Sequence, residues 1–303
     1  MEDSRVPRPT RGYLFAVINM LVSGVAIYVN GIGVKMFSDS TLYTALKNGV
    51  VGIVLLAILS LTPRGRPATA RISGRQWLLL LCVALIGGSI PYALYFRGLQ
   101  LSTPVTASLI DHTQFLLVGV FAAVFLRERL GAGVWIALGV LLAGLSVGVA
   151  VSAVRIDAGA VFLAAGTVLF AVDFVLMKHL LRSVPPRLVM AAKMSLGSAL
   201  LLGWVALTGH LGAVTTLSLI QWGFVLVTGA ILLVFTLTSV YALRHASATA
   251  ATAIPAGAPI VTTLLTVAAR GASVPPVRWL GLGLVLAAVV VVIVLGGRRE
   301  ARA

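Results

Sequence analysis

Apolar runs of about twenty residues recur from one end of this chain to the other, and this leaves few ways to fold. A helix rises 1.5 Å per residue, so ~20 residues cross a ~30 Å hydrocarbon layer with their backbone groups bonded internally. Ten such runs are read, at 12–34, 41–61, 76–96, 103–126 and 134–154, then at 159–177, 188–208, 219–243, 246–269 and 277–295. The segments between them are too short for a soluble domain. With 59% hydrophobic and 10% charged side chains among 303 residues, the chain also lacks the polar surface a water-soluble core needs. The expected fold is an all-α membrane protein of ten transmembrane helices in the lipid bilayer.

A formal charge of +15 would suit a nucleic-acid binder, but the cations sit in short loops between apolar runs rather than along one helix face, so no nucleic-acid partner is expected. Sixteen of the 23 Lys and Arg fall in segments on the side of the N-terminus and five on the other side. This bias puts both termini in the cytoplasm, and the expected location is a plasma membrane of the bacterial inner-membrane kind. Arg5, Arg8 and Arg11 precede the first run with no Ala-x-Ala site behind it, which reads as an uncleaved first helix. The lone Cys82 forms no internal disulfide, and no Cys/His spacing suggests a metal site. No cofactor, metal or catalytic residue is expected.

The remaining two cations, Lys47 and Lys193, lie inside predicted spans. Sliding the chain against itself by 144 residues lays Trp135 on Trp279, Gly139 on Gly283 and Ile110 on Ile254. An offset of 146 lays 42–47 on 188–193, so the two lysines become partners. Two five-helix halves, 1–155 and 156–303, must insert in opposite orientations because five is odd. Such inverted repeats are the architecture of alternating-access carriers.

Buried ionisable groups cost ~2.5 to 3.5 kcal/mol each on insertion scales, so each requires a reason. On helix 4, Ser108, Asp111, His112 and Phe115 fall on one small and polar stripe. The repeat carries this stripe to Thr252, Pro255 and Pro259 on helix 9, and both stripes are expected to face one cavity. Asp111 and His112 lie near the bilayer centre, where they bind a substrate ammonium or a proton, or else make a structural hydrogen bond to a neighbouring helix. Pro259 removes the amide that would bond the carbonyl of Pro255, and Pro255 does the same to Ala251. The freed carbonyls either ligate solute or form a kink satisfied by Thr252 or water. Asp173 and Lys193 share one depth, and a structural or gating ion pair lowers both burial costs. Lys47 either snorkels outward or holds a substrate carboxylate. Tyr28, Tyr92, Tyr95 and Tyr241 either line a pocket or sit as interfacial aromatics, the ordinary place of Tyr in membrane proteins.

The chain resembles the drug/metabolite transporter superfamily, specifically its EamA-like ten-helix members, over nearly its whole length. The marks are Lys47 and Lys193 early in the second helix of each half, the turn Leu126-Arg127-Glu128-Arg129-Leu130, and Pro259 with Trp279-Leu280-Gly281. Ser23-Gly24 stands where that family commonly has Trp-Gly, and the turn at 270–273 lacks the second Glu. The resemblance implies a carrier for an amino acid, related metabolite or toxic compound, with export the direction, and helices 5 and 10 at the periphery. No Walker A loop is present, so a gradient must drive transport, with proton coupling through Asp111 and His112 one scheme. A small-molecule substrate is thus the expected partner, and a homodimer is left open. Two other classes are set against this one. Gly144-Leu145-Ser146-Val147-Gly148 spells a nucleophile elbow, which would suit an intramembrane serine protease, but small residues at helix-packing spacing explain it. A non-transporting scaffold would need no midplane Asp-His stripe.

Overall fold

The computed structural model describes residues 8–37, 39–61, 72–102, 104–147, 156–271 and 273–300. Their regular structure is entirely helical. The first half comprises α1 (Arg8–Gly33), α2 (Ser40–Leu61), α3a (Gly74–Gly88) with α3b (Ile90–Leu101), α4a (Pro104–Asp111) with α4b (Gln114–Phe125), and α5 (Ala132–Ser146). The second comprises α6 (Ala158–Leu180), α7 (Pro186–Leu207), α8 (Leu219–His245), α9a (Ala248–Ala253) with α9b (Ala258–Arg270), and α10 (Pro276–Glu300). Counting broken helices as single spans, nine among the described residues are long and apolar enough to cross a membrane, and α5 is a shorter apolar helix. The chain is a multi-pass membrane protein of ten helices in two inverted repeats.

Local chemistry sets where helices begin. Ser73 and Ser218 each accept a hydrogen bond from the backbone amide of a Gln three residues on, whose side chain returns the bond. The Asp157 carboxylate accepts the Ala160 amide at 2.9 Å to start α6. Pro186 opens α7, where its missing amide costs nothing.

Packing follows the repeat. The matching helices α2 and α7 lie against each other, as do α5 and α10, while α1 packs on α8 as α6 packs on α3b. Lipid supplies no hydrophobic drive between helices, so close approach matters most. A Cβ on Gly88 of α3a would lie 2.8 Å from the Lys193 carbonyl, and one on Gly197 of α7 would lie 2.7 Å from the Gly88 Cα. Gly144 and Gly281 let α5 and α10 cross in the same way, so the elbow-like spelling is a packing site. Ser146 ends α5 with its hydroxyl donated to the Leu142 carbonyl at 2.8 Å.

Three helices are interrupted, helix 9 at its expected proline kink and helices 3 and 4 where no break was expected. Helix 3 breaks at Ser89, where Pro91 removes the amide for the Gly87 carbonyl and the Ser89 hydroxyl bonds the Leu85 carbonyl at 3.1 Å. Helices 4 and 9 break near mid-span. The expected end of helix 5, at 148–154, lies outside the described residues.

A valine at Gly197 should force the α3a–α7 crossing apart at a cost of about 1–3 kcal/mol. Gly203, where an added Cβ would meet no atom within 4 Å, should tolerate alanine. Thermal unfolding in detergent checks both: Gly197→Val should melt earlier and Gly203→Ala should not.

Candidate functional site

The breaks in helices 4 and 9 coincide under the repeat. His112 and Thr113 separate α4a from α4b, and a shift of 144 carries them onto residues 256–257, within the 3-10 turn Pro255–Gly257 that separates α9a from α9b. Discontinuous helices at a repeat interface are where carriers of this architecture place solute.

In α9 the cause is visible in the residues: Pro255, Gly257 and Pro259 follow one another. The Ala258 amide bonds the Pro255 carbonyl. That corrects the expectation that Pro259 leaves this carbonyl free, because the tight turn brings the amide three residues on into reach. Thr252, nearly buried, donates to the carbonyls of Ala248 at 3.0 Å and Thr249 at 3.2 Å. In α4 neither residue of the break is Gly or Pro. The Thr113 amide instead bonds the Ile110 carbonyl three residues back, at 3.0 Å, and its hydroxyl donates to the same oxygen at 2.6 Å.

Asp111 ends α4a half-buried, and its carboxylate makes no hydrogen bond or ion pair among the described residues. Tyr95 of α3b lies within reach of its charge. Tyr95 and Tyr92 meet Phe170 of α6 edge-on, at 6.5 and 5.1 Å between centroids, giving this side of the bundle an aromatic wall. His112 shares a 3.4 Å contact with Ser108 through Nε2, while its buried Nδ1 has no hydrogen-bond partner among the described residues. Phe115 is 3% exposed and belongs to the main apolar core rather than to an open stripe.

Lys47 of α2 sits in a second polar cluster. Its ammonium donates to Asn30 Oδ1 of α1 at 3.0 Å and lies 5.1 Å from the Tyr43 ring centroid. The Tyr43 hydroxyl is 2.9 Å from both Asn30 Oδ1 and Thr228 Oγ1 of α8. No carboxylate pairs with Lys47 among the described residues.

Lys193 of α7 forms an ion pair with Asp173 of α6, whose side chain is 1% exposed. A Cβ on Gly87 of α3a would overlap the Asp173 carboxylate, so that glycine is what admits the acid. Thus the structure joins Asp173 to Lys193, and Ser108 to His112, but among the described residues gives Lys47 and Asp111 no counter-charge.

Two residues with structural work in the site region were not singled out as site residues from the sequence. Asn30 has no sequence signal tying it to Lys47 from a different helix. Glu128, noted only as part of the turn, accepts the Ala248 amide at 2.6 Å and the Thr249 hydroxyl at 3.1 Å, joining the α4–α5 turn to the start of α9a. Cavities of 430 and 240 Å³ lie at this end of the bundle, and neither is lined by Asp111, His112 or Lys47.

The model of the EamA-like transporter family matches residues 10–149 and again 157–294, one match to each half. The chain belongs to the EamA-like transporter family. This family member is also 28% identical over 106 residues to an uncharacterized transporter in the cobO 3' region of Sinorhizobium sp, covering 35% of this chain and 74% of the relative. A protein crystal structure superposes with a TM-score of 0.72 over 97% of this chain and 98% of its own, at 21% identity, and shares the fold. The EamA chain is therefore a membrane transporter and not an enzyme.

Lys193→Met should leave the Asp173 carboxylate buried and uncompensated, a loss of about 3–5 kcal/mol. The double variant Lys193→Met with Asp173→Leu should recover much of it. Folded yield and melting temperature of the two variants check this, and a double variant as poor as the single one would contradict it.

Proposed function

We propose that this transporter is a secondary carrier that exports a small amino-acid-like metabolite or drug-like solute, its two repeats rocking about a site at the breaks of α4 and α9. The moving bodies are residues 1–155 and 156–303, with α2, α6 and α7 contributing to the site. The termini face the cytoplasm of a bacterial cell, as the loop charges favour. The relative from Sinorhizobium, named only as a transporter, supports the class of activity.

The observation that carries the reading is the pair of uncompensated charges. Asp111 and Lys47 each bear the cost of a membrane-embedded ion without an opposite charge from the described residues. A solute with an ammonium and a carboxylate supplies both. Asp111 is also the group that exchanges a proton for solute, with His112 and Ser108 beside it. Thr252, Pro255 and Pro259 shape the opposite wall, and the Asp173–Lys193 pair holds α6 to α7 as the repeats move.

Asp111→Asn should abolish solute flux driven by an imposed pH gradient in proteoliposomes while leaving folded yield intact. Unchanged coupled flux in that variant would remove proton coupling from Asp111. Lys47→Met should raise the half-saturating concentration of carboxylate-bearing solutes by about ten- to a hundredfold, the scale of one charged hydrogen bond, and leave simple amines unaffected.

A further inference from the structure

We propose that Glu128 and Lys178 clamp the α8–α9 turn from both sides, and that this clamp is the gate holding one end of the carrier shut. Call that end, where α1 begins and α10 ends, the base, and the opposite end the rim. The proposal rests on alternating access as stated above, but it concerns conformation and is independent of the solute and the coupling ion.

The turn joins the last residue of α8, His245, to the first of α9a, Ala248. Its outgoing carbonyls and incoming amides are the unsatisfied groups that helix ends leave. Lys178, at the end of α6, donates to the carbonyls of Leu243 and Ala246. Glu128 accepts from the amides of Ala248 at 2.6 Å and Thr249 at 3.4 Å and from the Thr249 hydroxyl. A cation therefore holds the carbonyl side and an anion the amide side. Glu128 belongs to the first repeat and α9a to the second, so its bonds must break for the repeats to part at the base.

The backbone aims the acid. Arg127 adopts φ 57°, the left-handed conformation that costs a non-glycine residue energy, and the Glu128 amide returns to the Ala122 carbonyl at 3.1 Å. This helix-ending turn sends the Glu128 side chain across to α9a. Behind the contact lies the 430 Å³ cavity, lined in part by Glu128, Ser247 and Thr249, into which the turn can withdraw.

The two ends of the bundle are unequal. At the base α4b packs on α9a, whereas toward the rim α4a leans on α6 and α9b on α1. The repeat places Ala272 at the position of Glu128, and either Ile32 or Val34 at that of Lys178. Neither charge of the clamp thus recurs at the rim. The clamp thus holds the carrier closed at the base.

The test is two-sided labelling of a single cysteine, Ser108→Cys in a Cys82→Ala background, with a membrane-impermeant maleimide in vesicles of either orientation. Labelling should be faster from the rim. Glu128→Ala should raise the base-to-rim ratio of labelling rates about tenfold or more, the scale of one charged hydrogen bond. Lys178→Met should shift it in the same direction, and Glu128→Gln, which keeps an acceptor oxygen, should shift it less. An unchanged ratio in folded Glu128→Ala and Lys178→Met would overturn the gate. Where the variants fail to fold, the parent reporter decides: faster labelling from the base overturns the proposal. Because the readout is accessibility, a wrong solute or ion would leave it untouched.

Discussion

Inside a bilayer a backbone amide has no water to bond, and the rest of this structure follows from that constraint. It makes each crossing helical and limits broken helices to places where protein can satisfy the loose ends. Helix 3 breaks at Ser89, whose own hydroxyl bonds a carbonyl of the preceding turn. Helices 4 and 9 break at matching points of the repeat, and there the local solutions are a threonine hydroxyl on Ile110 and a tight turn around Pro255. These breaks are consequential because an interrupted helix offers polar backbone at a depth where nothing else is polar.

Charge obeys the same constraint. Asp173 and Lys193 answer each other, with Gly87 leaving room for the acid. Lys178 and Glu128 answer helix ends. Among the described residues no opposite charge answers Asp111 or Lys47, although Lys47 has an amide oxygen and an aromatic face. Ions that are buried and balanced hold helices together, and ions that are buried and unbalanced are where a solute can contribute binding energy.

Much of this was legible in the sequence because it depends on composition over about twenty residues: the spans, the repeat and the family. The break in α9 was legible too, since Pro255 and Pro259 announce it. Its partner in α4 was not, because His112 and Thr113 carry no breaking signal and the turn arises from a side-chain hydrogen bond. Helical periodicity puts Phe115 on the small and polar stripe, and only packing shows that its side chain meets protein in the main apolar core. Asn30 beside Lys47 and Glu128 beside Ala248 join distant parts of the chain, and one sequence carries no record of such meetings.

The central claim is that the unbalanced charges serve a small solute carried across the membrane. Counterflow into liposomes containing the purified protein, with a mixed panel of amino acids, amines and drugs read by mass spectrometry, tests it most directly. The account predicts selective accumulation of solutes bearing both an ammonium and a carboxylate. Folded protein that accumulates no member of the panel, or accumulates all without selection, would contradict it.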